Sequence, residues 1–207
     1  GTTGLRDVEG ARPVQGDSVF RIASMTKSFT AMAILKLRDE GKLSLDDKVA
    51  KYVPGLTRGG DITLRQLLTH TSGYQDYWPQ DYTFSAMLEP TTPAGILERW
   101  ARQPLDYEPG TKWQYSNTGY VIAGRIVEKV SGKPLFQFLQ ERIFTPLQMK
   151  SVQDFDREPL SAGNAGGFTS FALGPPRAAA VSGAGWLFGM GELAMTAEDL
   201  AKWDISI

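Results

Sequence analysis

The stretch Phe29-Thr30-Ala31-Met32-Ala33-Ile34-Leu35 is apolar almost all the way round a helical wheel. A surface helix carries one apolar stripe and one polar face. A helix apolar on every side has to be covered on every side. This segment therefore demands an architecture with packing layers on both its flanks. The helix is expected to begin at Ser24 and to stop at Gly41. At 207 residues, 42% hydrophobic and 22% charged, the chain is long enough to build such a core, and it is not the composition of a disordered chain.

Most other readable elements are helices. Thr63 and Gln66 have capping-box spacing ahead of Leu64-Arg65-Gln66-Leu67-Leu68. Thr92-Pro93 is an N-cap followed by proline at the first helical position, and the helix it opens runs through Ile96, Leu97 and Trp100. A fourth helix is expected from about Asn117 to Ser131, closed by Gly132, a fifth from Pro134, and a sixth from Thr196 to the end. Strand signal is thin. Ser18-Val19-Phe20-Arg21-Ile22 alternates, and residues 162–191 are rich in Gly and small side chains and read as a long loop packed closely on something. No repeat and no linker divides the chain. The expected organisation is one domain: an N-terminal strand remnant (1–23), a catalytic helix with a helical region (24–161), and a Gly-rich loop with a terminal helix (162–207).

Composition excludes several chemistries. There are 22 Lys+Arg against 23 Asp+Glu, a net charge of -1, which removes a basic nucleic-acid footprint. No run approaches the ~20 apolar residues of a membrane span. With no cysteine, disulfides, thiolate catalysis and Cys-ligated zinc are impossible, and with a single histidine, His70, so are multi-histidine metal sites. Asp46-Asp47 reads as a pair of helix-start carboxylates that need no ion. No cofactor or metal is expected. The chain opens on Gly1 rather than Met, which reads as a processed product or a fragment.

Two short segments can carry chemistry. In Ser24-Met25-Thr26-Lys27, Ser and Lys three apart share a helix face. A serine hydroxyl is a weak nucleophile that needs a base. A lysine whose pKa is depressed by burial and by a helix N-terminus can be that base without histidine. The plainer reading is a capping Ser and a surface Lys. In Tyr115-Ser116-Asn117, after the turn Pro109-Gly110, the phenol can shuttle a proton and the Asn amide can donate to a substrate carbonyl and hold Lys27. The plainer reading is a core aromatic and an Asn N-cap. His70 is expected to be structural, satisfying backbone groups where the chain leaves the second helix, rather than part of a triad with Ser24. Tyr74, Tyr77, Trp78 and Tyr82 either line a substrate cleft or anchor their own loop.

Together with Phe20-Arg21-Ile22-Ala23, Leu67-Leu68-Thr69-His70-Thr71-Ser72-Gly73, Glu108-Pro109-Gly110, Gly119-Tyr120 and Ile143-Phe144-Thr145-Pro146-Leu147, these segments resemble the serine β-lactamase and penicillin-binding superfamily. The likeness is to its class C-like branch, with DD-peptidases, D-aminopeptidases and β-lactamase-like esterases, and it runs from about Gly4 to Trp203. The resemblance implies an α/β (α+β) β-lactamase/transpeptidase-like fold and a serine hydrolase that forms an acyl-enzyme on β-lactams, D-amino-acid peptides or short esters. In it Ser24 is the nucleophile, Lys27 its base partner and Tyr115 the second acid/base group. Asn117 binds the substrate amide, with Tyr74 and Trp78 as candidate substrate-binding residues, and the N–H of Ser24 is one oxyanion donor. It also implies a periplasmic or secreted location and a small-molecule or peptide substrate.

The family's third motif, Lys-Thr-Gly or His-x-Gly, has no counterpart after Tyr115, and its first strands precede the equivalent of Gly4. The chain is therefore expected to cover mainly the helical part, with flanking sheet strands missing and a second chain as the candidate partner that completes the sheet. It should be helix-dominated, with an open apolar face near Ser24. The other readings are a penicillin-recognising sensor module and a non-catalytic helical fragment.

Overall fold

The computed structural model describes residues 1–7, 10–80, 82–160 and 164–207. A two-residue strand β1 (Phe20–Arg21) and a 3-10 turn (Ala23–Met25) lead into helix α1 (Thr26–Asp39), and Gly41, at φ 70°, turns the chain away beyond its end. Helix α2 (Leu64–Leu68) is held by the expected capping box: Gln66 N–H donates to Thr63 Oγ1 at 3.2 Å, and Thr63 N–H donates to Gln66 Oε1 at 2.9 Å. Helix α3 (Pro93–Ile96) starts on the Thr92 cap and continues as a π turn over Leu97–Ala101.

Helix α4 (Asn117–Ser131) is capped by Ser116, whose hydroxyl accepts from Gly119 N–H, so Asn117 is the first helical residue rather than the cap. Helix α5 (Leu135–Leu139) runs on as a π turn to Phe144. Strands β2 (Gln153–Asp154), β3 (Phe168–Thr169), β4 (Arg177–Ala178) and β5 (Leu193–Met195) precede helix α6 (Ala197–Ser206), which is capped by Thr196.

The long Gly-rich stretch is thus loop apart from the β3–β4 hairpin, β5 lying just beyond it; residues 161–163 fall outside the described set. Strand β5 is central in a small antiparallel sheet, with Phe20 opposite Met195 on one side and Asp154 opposite Leu193 on the other. The N-terminal segment adds one bridge, Leu5 to Pro13. Each of these five strands is two or three residues long. No substitute sheet of long strands forms among the described residues, and the chain is helix-dominated.

The core lies where α1 crosses α4. Phe29, Ala33, Ile34 and Leu37 of α1 meet Val121, Ile122, Ile126 and Val127 of α4, all fully buried. Each such large side chain contributes ~1.5–3 kcal/mol by leaving water. The other flank of α1 is less covered than its composition predicts. Trp203 of α6 stacks on Phe29 at 4.2 Å and donates from Nε1 to Ser28 Oγ, yet Ala31, Met32 and Leu35 remain half-buried. Met25, Ile205 and Ile207 are exposed. The reason is geometric: one helix on one side closes one flank, and α6 is short.

The N-terminal end of α1 is tied to the segment before β5. Thr30 Oγ1 donates to the Gly189 carbonyl at 2.8 Å, and Thr26 Oγ1 accepts from Leu193 N–H at 3.2 Å. Gly189 has φ 72°, and a Cβ there would sit 2.6 Å from the Tyr120 carbonyl oxygen. Only glycine lets this segment press against α4 and turn. No helix among the described residues is long and apolar enough to cross a membrane.

Candidate active site

The 3-10 turn before α1 presents Ser24 to solvent, with Ala23 at φ 46° just ahead of it. Ser24 does not cap α1; Met25 occupies the N-cap position without a side-chain bond. One turn on, Lys27 is only 6% exposed. Its Nζ lies 3.1 Å from Ser24 Oγ and donates to the Met190 carbonyl at 2.9 Å. Tyr115, on the approach to α4, brings its hydroxyl to 2.7 Å from the same Ser24 oxygen. Three side chains separated by 91 residues of sequence therefore converge on one hydroxyl.

Electrostatics assigns their protonation. Burial lowers the Lys27 pKa from 10.5 to about 7, against the opposing pull of the Asp76 and Glu192 charges. The amine is thus substantially neutral near neutrality, which is what a general base requires. Burial moves Tyr115 the other way, above its usual value, although its bond to Ser24 favours the ionised form. The phenol therefore keeps its proton, and Lys27 is the stronger candidate to receive the serine proton.

His70 braces this arrangement from below. It sits at φ 57° just past α2, and its Nδ1 accepts the Ser116 N–H at 3.1 Å while its carbonyl accepts from Gln114 N–H and the Tyr107 hydroxyl. Its ring lies against Tyr115 on one side and Tyr120 on another. Burial, with a smaller contribution from the Lys27 charge, lowers its pKa to about 4, so it is neutral. It satisfies backbone groups, and it touches neither Ser24 nor a carboxylate.

A cavity of about 370 Å³ opens beside the hydroxyl, lined by Ser24, Trp78, Tyr82, Tyr115, Asn117 and Met190 among others. The aromatic group divides. Trp78 and Tyr82 face the cavity. Tyr74 is 1% exposed in the core, with its hydroxyl donating to the Thr57 carbonyl, and does not line the cavity. Tyr77 is buried beside Trp100 and Trp186 and bonds the Trp186 carbonyl. The correction for Tyr74 has a simple cause: its loop turns at Gly73, φ 86°, and sends Tyr74 inward.

Asn117 is at the cavity wall, but its Nδ2 donates inward, to Asp76 Oδ2 at 3.3 Å and to the Trp78 carbonyl at 3.5 Å. The donor side expected to meet a substrate carbonyl is engaged by the protein itself. The sequence reading missed Asp76 and Glu192. Asp76 sits three residues past Gly73 in Ser72-Gly73-Tyr74-Gln75-Asp76, where a lone acidic residue looks like ordinary loop polarity. Glu192, 3% exposed, follows the Gly-rich loop. Among the described residues no group of three or more His, Asp or Glu side chains is placed to hold a metal.

The Beta-lactamase family model matches residues 1–206. The chain belongs to the beta-lactamase family. It is 35% identical over 156 residues to Penicillin-binding protein 4* of Bacillus subtilis (strain 168), covering 74% of this chain and 34% of the relative. It is 35% identical over 172 residues to Esterase EstB of Burkholderia gladioli, covering 75% of this chain and 43% of that protein. The chain thus spans less than half the length of either relative. In three dimensions it is similar to the D-amino acid amidase from Ochrobactrum anthropi SV3 complexed with L-phenylalanine amide. The TM-score is 0.81 at 31% identity, covering 97% of this chain and 58% of that one. As a beta-lactamase-family chain it carries the mixed α/β fold of this superfamily, and its relatives are hydrolases and penicillin-binding proteins.

Proposed function

We propose that this chain carries the nucleophilic half of a serine acyl-transfer site acting on β-lactams, D-amino-acid peptides or short esters. The observation that supports the reading most is the single Ser24 oxygen held within hydrogen-bond reach of both Lys27 Nζ and the Tyr115 hydroxyl. In the reaction, neutral Lys27 takes the Ser24 proton as Oγ forms a bond to the substrate carbonyl carbon. Tyr115 gives its proton to the departing nitrogen or oxygen as that group's bond to the carbon breaks and is reprotonated by the proton Lys27 took from Ser24, so both groups return to their starting states. An acyl-serine remains, and a water hydrolyses it. The backbone N–H of Ser24 is one donor to the developing oxyanion; a second donor, and any group for a substrate carboxylate, belong to a strand carrying the family's third motif, supplied by another segment or chain. Absence of one oxyanion donor slows such chemistry on the order of a hundredfold or more. A periplasmic or secreted site of action is part of the same proposal.

The test is an active-site-directed probe, a fluorescent penicillin or a fluorophosphonate, followed by ester turnover. Mass added to the peptide containing Ser24, with turnover, supports the hydrolase. A stable label without turnover overturns hydrolysis by this chain and leaves a sensor. No label at all overturns the acyl-transfer reading.

A further inference from the structure

We propose that Asp76 is a positioning residue of this site, holding both the backbone and the side-chain amide of Asn117 in one orientation. The inference rests on the acyl-transfer reading above. Asp76 lies in the loop that leaves α2, after the left-handed turn at Gly73. A Cβ at Gly73 would be 2.4 Å from the Tyr107 carbonyl oxygen, so the turn depends on glycine. The loop delivers the Asp76 carboxylate to the N-terminal end of α4. There Oδ1 accepts the Asn117 N–H at 3.1 Å and the Trp78 N–H at 3.1 Å, and Oδ2 accepts from Asn117 Nδ2 at 3.3 Å. A carboxylate at a helix N-terminus is favoured by the unpaired amides and the dipole.

The consequence for Asn117 follows from what each neighbour can do. A carboxylate and the Trp78 carbonyl only accept hydrogen bonds. The Asn117 nitrogen has to face them, because a flipped amide would set its oxygen against two other oxygens. Its Oδ1 is therefore turned the other way, and it is buried without a hydrogen-bond partner. Asp76 thus fixes which end of the Asn117 amide faces the loop and which is turned away from it. His70 grips Ser116 N–H and Asp76 grips Asn117 N–H, so two residues of one loop pin successive amides of the segment that begins with Tyr115.

The second effect is on Lys27. Lys27 Nζ bonds Ser24 Oγ and the Met190 carbonyl and lies over the rings of Tyr115 and Tyr120 at 4.9 and 5.7 Å, while Asp76, Glu192 and His70 are the titratable groups coupled to it by charge. Asp76 and Glu192 are the carboxyl groups among them, and each opposes the lowering by burial.

The experiment is a side-chain NMR titration of the full chain, following Lys27 Cε and the Asn117 side-chain amide, in wild type, Asp76→Asn and Asp76→Glu, beside probe acylation across pH. In Asp76→Asn the Lys27 midpoint is expected below its wild-type position near 7, and the acid limb of acylation moves the same way. The Asn117 amide signals shift, and acylation at pH 7 falls at least tenfold. In Asp76→Glu the charge is kept, so the Lys27 midpoint stays close to wild type while the Asn117 signals still move. A purely structural loop residue would not displace the Lys27 midpoint in a variant that keeps its helical circular dichroism. Unmoved Asn117 signals in Asp76→Glu, or in a folded Asp76→Asn, overturn the proposal. If Asp76→Asn does not fold, Asp76→Glu decides it. If wild type takes no label, the acyl-transfer reading fails, while the titration still decides the role of Asp76.

Discussion

The imidazole of His70 lies nearly face to face with the ring of Tyr115, centroids 4.6 Å apart and planes 27° off parallel, while its Nδ1 holds the amide of the next residue, Ser116. The position of the Tyr115 ring is thereby braced by a histidine that burial keeps neutral. Because the fold favours the neutral ring, its pKa falls from 6.5 to about 4. The stability this contributes is present above the unfolded value near 6.5 and is lost as pH falls through about 4. His70→Phe keeps the stack and removes the acceptor, leaving the Ser116 N–H unpaired. We expect urea unfolding at pH 7 to report a loss of ~1–3 kcal/mol. The variant should also lose part of the wild-type decline in stability between pH 6.5 and 4.

Ser24→Ala should abolish labelling by an active-site probe and leave the far-ultraviolet dichroism unchanged. Since Ser24 caps no helix and its hydroxyl is solvent-exposed, unfolding should shift by less than the ~1 kcal/mol of a lost cap. Peptide mapping after exposure to the probe checks it. A label surviving in Ser24→Ala would rule out Ser24 as the nucleophile.

In the proposed mechanism Lys27 acts as the neutral amine, so acylation should rise with pH through about 7 and then level off. Lys27→Arg stays protonated at all accessible pH and should acylate slower by several orders of magnitude. A pH–rate profile of labelling tests both statements, and a near wild-type rate in Lys27→Arg would reduce Lys27 to an electrostatic role.

Tyr115→Phe removes the hydroxyl bonded to Ser24 and keeps the ring against His70. We expect acylation to slow by roughly 10²–10⁴-fold with little change in stability. Stopped-flow labelling beside thermal unfolding separates the two.

Glu192 is buried, its Oε2 is without a hydrogen-bond partner, and burial raises its pKa from 4.5 to about 8. The fold favours the protonated acid. The stability linked to it is complete below about 4.5 and is lost as pH rises through about 8. Glu192→Gln, which cannot ionise, should flatten the stability profile over that window and exceed wild type in stability at pH 9. Denaturant midpoints at pH 5, 7 and 9 would show it, and parallel profiles for the two proteins would refute it.

The sequence by itself determined the local elements and the residue types of the site. The capping box at Thr63 and Gln66, the Thr92 and Thr196 caps, and the glycine stop at Gly132 are signals within four residues, and each formed where it was expected. The three-residue spacing of Ser24 and Lys27 left them one turn apart, Ser24 on the 3-10 turn and Lys27 at the start of α1. What only the tertiary structure decided lies between elements. The meeting of Tyr115 with Ser24 spans 91 residues, and the carboxyl groups coupled by charge to Lys27 come from separate loops. Tyr74 and Trp78 look alike in sequence, yet the turn at Gly73 sends one into the core and leaves the other at the cavity. The Asn117 amide was legible as a polar group, but its orientation is set by Asp76, 41 residues away. The physical reason is common to all of these. Helix caps and side-chain spacing are short-range and written in consecutive residues, whereas the protonation state of Lys27 and the direction of an amide depend on burial and on charges that arrive only when the chain has folded.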